Sequence, residues 1–416
     1  MARAVPGGRN GTGSPGRHVK GTLPMRNVLL IVAVTVSVSL PLQGQHTRRE
    51  VVSYYPSWKW RAEGQVLTPE KIPFGMLTVI NYAFFYPLPD GAITGHDSSG
   101  DALMLYPHAT GEGGDSSATL TSLAHRHGVR VLLSVGGWDD SNNFPAVASE
   151  AAGRMRFAHS CAGRIREFGF DGIDIDWEFP GMAEHNGTPA DGENYVRLLR
   201  VLRDTLDNLG ARRHRHYLLT AALPADLARA QAMRIREAAP LLDFLNIMTY
   251  DMYGTWDPGA YHNAPLFAGP GGDSARTLDG AFRLYHETFG IPAARINLGV
   301  PFYGHTFTGC TELGGVHGPA DTVHFQGGGA TYSAIAALIS RFTRHRDNFA
   351  GVPYLTSSDW NMLVSYDDEE SVRMKARYVL DRGARGLIIW EITQDYLPDG
   401  SHPLLESIDS VFHTSH

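Results

Sequence analysis

Three carboxylates recur at every second position in the run Phe170–Glu178: Asp174, Asp176 and Glu178, interleaved with Ile173, Ile175 and Trp177. On a β-strand, alternate side chains share a face, so the three acids point one way and the three large apolar residues the other. Like charges on one face repel. A solvated, acidic edge strand would tolerate them, but the apolar partners call for burial on the second face, and Pro180-Gly181 stops the strand just past Glu178. Acids gathered at the end of a half-buried strand suit proton transfer. Crowding and burial raise their pKa values until one of them keeps a proton near neutral pH.

Such a strand needs a scaffold. Strand-like apolar runs recur at Val51–Tyr55, Leu77–Phe85, Val129–Val135, Gly169–Glu178, Tyr217–Leu223, Phe244–Tyr250, Ile296–Tyr303 and Gly386–Glu391. Helix-like segments with three- and four-residue apolar spacing separate most of them, among them Gly153–Phe168, Asn194–Gly210 and Ser274–Phe289. Eight alternations predict a (β/α)8 TIM barrel over residues 48–413. The long interval after the seventh run, from about 305 to 358, carries a helix-like piece at Ser333–Thr343. It predicts a small α+β insertion between strand 7 and strand 8. Loops after the strands surround the active site of such a barrel, so this insertion would deepen a substrate groove.

The chain has 416 residues, 43% of them hydrophobic and 19% charged, with a formal charge of −7. That is a globular composition with no basic stripe for nucleic acid, and no nucleic-acid partner is expected. Residues 1–24 read as an unstructured leader and 25–44 as a secretory signal peptide, with translation starting at Met25 and cleavage near Gly44. The expected product is a secreted monomer; an uncleaved signal would leave an N-terminal anchor. Cys161 and Cys310 read as unpaired. The pairs His125/His127 and His214/His216 lack companion ligands at metal-binding spacing, so neither a metal nor a cofactor is expected.

Short motifs fall at the predicted C-terminal ends of the strands: Ser53-Tyr54-Tyr55, Asn81-Tyr82-Ala83-Phe84, Ser134-Val135-Gly136-Gly137-Trp138, the acidic run, Met248-Thr249-Tyr250-Asp251, Pro301-Phe302-Tyr303-Gly304 and Trp390-Glu391. Singly they are weak: Gly136-Gly137 alone could be a tight turn and Trp390 alone a core residue. In this order they resemble glycoside hydrolase family 18. Its Asp-Gly-x-Asp-x-Asp-x-Glu signature matches Asp171–Glu178, Ser-x-Gly-Gly matches Ser134–Gly137, and Met-x-Tyr-Asp matches Met248–Asp251. Trp177 and the insertion resemble the chitinase branch rather than the endo-β-N-acetylglucosaminidase branch. His305 stands where many relatives have Arg.

The resemblance implies a chitinase that cuts β-1,4 linkages between N-acetylglucosamine units in chitin or chitooligosaccharides. Glu178 would be the acid/base, and the nucleophile would be the substrate's own acetamido oxygen, the exception to the two-carboxylate rule. Asp176 would hold the acetamido N–H, with a proton shared between Asp174 and Asp176. Tyr250 would hold the acetamido carbonyl and Trp390 would lie under the sugar. Tyr54, Phe84, Gly137, Met248 and Asp251 join the binding set, and Trp58, Trp138, Trp256 and Tyr303 are candidate rims or sugar platforms. Glu391 reads as structural. The rival readings are an endo-acting N-glycan hydrolase and a chitin-binding lectin. The presence of Glu178 speaks against the lectin.

Overall fold

The computed structural model describes residues 49–59, 67–106, 119–325 and 329–413, together with Gly21; the rest of the predicted leader and signal segment lies outside the described residues. Eight parallel strands close on themselves: β1 (Glu50–Pro56), β2 (Val79–Pro87), β3 (Arg130–Gly136), β4 (Gly172–Asp176), β5 (Leu218–Pro224), β6 (Phe244–Met248), β7 (Ile296–Pro301) and β8 (Gly386–Trp390). Each pairs with its sequence neighbour, and β1 pairs with both β2 and β8, so the sheet has no open edge between them. The predicted (β/α)8 barrel is the observed fold.

Period-two patterning sorts the side chains. Ile173, Ile175 and Trp177 face outward into the layer between barrel and helices. Trp177 is fully buried there, stacked on Phe144 at 5.1 Å and edge-on to Tyr195 at 6.0 Å. On the inner face, Val52, Val79, Leu132, Leu218, Phe244 and Ile388 belong to one apolar cluster that fills the lower lumen. Above it the register aligns a polar row: Ser134 opposite Asp174, Asp174 opposite Thr220, and Asn246 opposite Asn297. The polar row is therefore set by strand register rather than by any local motif.

The helices follow their periodicity. Ala151–Phe168 (α1) and Asp191–Arg213 (α2) cover the predicted segments. The predicted helix at Ser274–Phe289 starts later, because the Thr277 side chain accepts the Gly280 N–H at 2.9 Å and caps a helix of Leu278–Arg283, which continues as a π-type turn over Leu284–Thr288. Between β7 and β8 lies a five-stranded antiparallel sheet in the order Ala330–Thr331, Tyr303–Thr308, Met362–Ser365, Val352–Ser357 and Thr343–Asp347, with a helix at Tyr332–Leu338. In chain order its strands run from Tyr303 to Ser365, so the sheet takes in residues on both sides of the predicted insertion. Cys161 and Cys310 are buried and unpaired.

The base of the barrel is tied by carboxylates that each take two basic side chains, Arg or His. Glu50 accepts from Arg130 at 2.6 Å and Arg385 at 2.8 Å. Asp243 accepts from Arg203 at 3.1 Å, pairs with His216 at 2.5 Å and takes the Leu219 N–H at 2.7 Å. Asp171, the first aspartate of the signature, takes Arg215, His125 at 2.8 Å and the Val131 N–H at 2.7 Å. It precedes β4, whereas Asp176 ends it, roughly 16 Å away by strand rise. Asp171→Ala would orphan a buried N–H. It is expected to lower unfolding free energy by about 1–3 kcal/mol, read as a lower urea midpoint, with turnover per folded molecule unchanged.

Candidate active site

The acids of β4 emerge at the C-terminal mouth of the barrel in three different environments. Asp174 is fully buried and its two oxygens take four hydrogen bonds: Oδ1 accepts from Thr220 Oγ1 at 2.5 Å and Asn246 Nδ2 at 3.2 Å, and Oδ2 from Tyr54 OH at 2.9 Å and Ser134 Oγ at 3.0 Å. Burial pushes its pKa up, and those four donors oppose the rise. Asp176 is 3% exposed, and its Oδ1 has no hydrogen-bond partner. Burial, then the charges of Glu178 and Asp174, push its carboxyl well above the ordinary carboxylate range. The two carboxyls are thus solvated unequally, with four donors on Asp174 and none on Asp176 Oδ1.

Glu178 lies two residues beyond the strand. Burial, aided by the charges of Asp251 and Asp139 and opposed by Arg229, raises its pKa to about 8. Its backbone is held from two sides. The Glu178 N–H donates to Ser141 Oγ at 2.9 Å, Ser141 Oγ donates to the Gly137 carbonyl at 2.8 Å, and His185 Nδ1 contacts the Glu178 carbonyl. The His185 ring also meets Trp138 edge-on at 4.7 Å.

Gly136-Gly137 is more than a turn. A Cβ on Gly136 would lie 2.0 Å from the Asp176 carbonyl oxygen, and one on Gly137 2.5 Å from the Phe84 ring; both residues have positive φ, +119° and +93°. The Gly137 N–H donates to that same Asp176 carbonyl at 2.8 Å. The glycines let the end of β3 close against β4 and against the aromatic floor.

A cleft of about 350 Å³ opens over these acids. It is lined by Asp176, Glu178, Tyr250, Trp390, Phe84, Gly137, Trp138, Met248, Asp251, Tyr303 and Trp58, eleven of the residues singled out from sequence. Trp390 and Phe84 stack at 5.7 Å with 18° between their planes, and Tyr54 tilts against both. Tyr54 itself is 1% exposed, and its hydroxyl serves Asp174. It sits one layer below the cleft rather than on its surface. Trp256 is not among the lining residues; it is 63% exposed and meets His305 edge-on at 5.4 Å. Sequence reasoning missed His96, Asp139 and Asp140, which also line the cleft, and His96 Nδ1 lies 2.8 Å from Asp140 Oδ2. It also missed Ser141 and His185, loop residues with no periodic signal. Glu391 is buried and caps the following turn through the Thr393 N–H at 2.9 Å.

The sequence matches Glycosyl hydrolases family 18 over residues 50–395. The chain belongs to glycosyl hydrolases family 18. It is 33% identical to Chitinase A1 of Niallia circulans over 396 residues, covering 83% of this chain and 56% of that protein's length. It is 30% identical to Endochitinase 1 of Metarhizium robertsii, covering 88% of this chain and 86% of that one. Among solved structures, the Ostrinia furnacalis Group IV chitinase in complex with allosamidin superposes with a TM-score of 0.77 at 29% identity, covering 88% of this chain and 99% of that one.

In this family 18 glycoside hydrolase, His305 supports the cleft wall from behind, against Asp251. Asp251 Oδ1 accepts from Tyr303 OH at 2.7 Å and lies 2.8 Å from His305 Nε2. The charges around Glu178 make a signed expectation. Asp251→Asn removes an anion that opposes ionisation of Glu178, so the alkaline limb of kcat/KM moves to lower pH. Arg229→Gln removes a cation that favours ionisation, so the limb moves to higher pH. Profiles on a soluble oligosaccharide check both; shifts of the same sign would refute the assignment of Glu178 as the titrating acid.

Proposed function

We propose that the protein is a secreted, monomeric chitinase that hydrolyses β-1,4 bonds between N-acetylglucosamine units by substrate-assisted, retaining catalysis. The observation that carries this reading is the setting of Asp176: buried, with Oδ1 unpartnered and its carboxyl pushed well above the ordinary range by burial and by its neighbours Glu178 and Asp174. A retaining glycosidase of the ordinary kind needs an ionised carboxylate as nucleophile. A buried carboxyl that resists ionisation and has a free acceptor suits a different task, taking an acetamido N–H once a substrate arrives.

In this mechanism Glu178 donates its proton to the glycosidic oxygen as the C1–O bond breaks. The acetamido carbonyl oxygen of the same sugar attacks C1 and forms a cyclic oxazolinium ion. Asp176 accepts the acetamido N–H, and the Asp174–Asp176 pair, sharing one proton, offsets the positive charge. Tyr250 orients the attacking oxygen, and an internal nucleophile held in line removes several kcal/mol of entropic barrier. Ionised Glu178 then takes a proton from water as that water opens the ring at C1, which returns the β configuration. The stacked Trp390–Phe84 floor offers an apolar surface to the sugar face.

The family match and the chitinases among the relatives support the substrate class. Export rests on the sequence of residues 25–44; among the described residues no helix is long and apolar enough to cross a membrane. The test is a product time course on N-acetylglucosamine oligomers with anomer-resolved detection. Short β-anomeric products are expected. Intact oligomers alongside trimmed glycoproteins would replace this reading with the N-glycan one.

A further inference from the structure

Asn263 lies in the long connection between β6 and β7, outside every motif that drew attention in the sequence. It is 1% exposed. All its polar groups are committed. Its Oδ1 accepts the Asp251 backbone N–H at 2.8 Å, and its Nδ2 donates to the Tyr303 carbonyl at 3.2 Å. Its own N–H donates to Ser365 Oγ at 2.8 Å, and its carbonyl accepts the Met252 N–H at 2.9 Å. The orientation of the carboxamide is forced, since one neighbour offers only a donor and the other only an acceptor.

Asp251 directly follows Tyr250 and has φ +54°, in the left-handed region that side chains other than glycine seldom enter. The backbone alone disfavours the turn that presents Tyr250 to the cleft, and something must hold it. The hydroxyl of Tyr303 returns to Asp251 Oδ1, so Asp251, Asn263 and Tyr303 form a closed ring of hydrogen bonds. Through Ser365, that ring is fastened to the central strand of the five-stranded sheet.

We infer that Asn263 is a positioning residue for the reaction: its carboxamide locks the Tyr250–Asp251 turn to Tyr303 and to the sheet between β7 and β8. The inference rests on the reading of Tyr250 as the group that orients the acetamido oxygen. It gives the sheet a catalytic duty beyond walling the cleft, because the sheet anchors the tyrosine that aligns the nucleophile. A misplaced turn would leave sugars bound on the aromatic floor but attack badly aligned, so the cost falls on kcat rather than KM.

The experiment compares the parent with Asn263→Leu, which removes both side-chain bonds, and Asn263→Asp, which keeps the acceptor for Asp251 and loses the donor to Tyr303. On N-acetylglucosamine pentamer, Asn263→Leu is expected to lower kcat by about 10–100-fold with KM within about threefold. Asn263→Asp should fall between it and the parent. The alkaline limb of the Leu variant should move to lower pH, since Asp251 is no longer held near Glu178. A purely structural residue would lower the melting temperature and the folded fraction and leave the pH limb and kcat per folded molecule unchanged; that result, or kcat within twofold of the parent, overturns the inference. If the Leu variant does not fold, the Asp variant is judged by the same criteria. If the parent itself leaves the pentamer intact, the chitinase reading fails. The bracket is then judged by hydrogen exchange at the Asp251 amide, slow in the parent and fast in the variants if the inference holds, unchanged if it does not.

Discussion

Glu178→Gln is expected to lower kcat/KM on N-acetylglucosamine oligomers by about 10²–10⁴-fold, the usual worth of a positioned general acid. Gln has the shape of the protonated carboxyl but no proton to give. The loss should shrink on a substrate with an acidic aryl leaving group, which departs with little protonation; equal losses on both substrates would mean that Glu178 serves binding or structure instead. The substitution carries a second, opposite expectation for stability. The folded-state pKa of about 8 lies above the ordinary carboxylate value. The stability that protonated Glu178 allows is therefore fully present below the ordinary value and is lost as pH rises toward 8. Gln needs no proton, so the variant should be at least as stable as the parent at pH 7 in urea denaturation, and the difference should vanish near pH 4. A variant that loses activity because it unfolds would show the reverse.

Asp176→Ala should cost about 10²–10³-fold in kcat, comparable to removing one group that stabilises charge in the transition state. Asp176→Asn keeps an acceptor for the acetamido N–H without the ability to become negative, so its loss should be smaller but still clear. A stable thiazoline analogue of the cyclic intermediate separates this role from that of a covalent nucleophile. It should bind the parent far more tightly than Asp176→Ala, and a trapped glycosyl ester on Asp176 would overturn the substrate-assisted mechanism. Removing Asp176 should not harm the fold, because its Oδ1 already lies buried without a partner.

Much of this was legible in the sequence for a physical reason. Strand alternation is a rigid rule, so three acids two residues apart had to share a face, and Ile173, Ile175 and Trp177 had to face the helices. Eight apolar runs separated by helical periodicity left few folds to choose from. What stayed hidden depends on register and on loops. Nothing local to Thr220, Asn246 or Ser134 announces that they converge on Asp174 and leave Asp176 Oδ1 without a donor; that follows from how strands far apart in the chain align. Tyr54 looked like a cleft residue because it ends a strand, but one layer of depth makes it a donor to Asp174 instead. Ser141, His185 and Asn263 act through single hydrogen bonds from irregular segments, which carry no period to read.

The two ends of β4 place opposite demands on acidity. At its base, the cations and backbone donors around Asp171 hold its carboxyl below the ordinary range, and the same is true of Glu50. Their contribution to the fold is present above the ordinary carboxylate range and is lost as pH falls through the lowered values. At the mouth, Asp176 and Glu178 are shifted the other way. The acid conditions that the fold survives and the alkaline limit of its activity are therefore written in separate residues, joined by a strand five residues long. Acid tolerance could be altered at the base while the working pH range stays where Glu178 sets it. One short motif thus holds two independent dials.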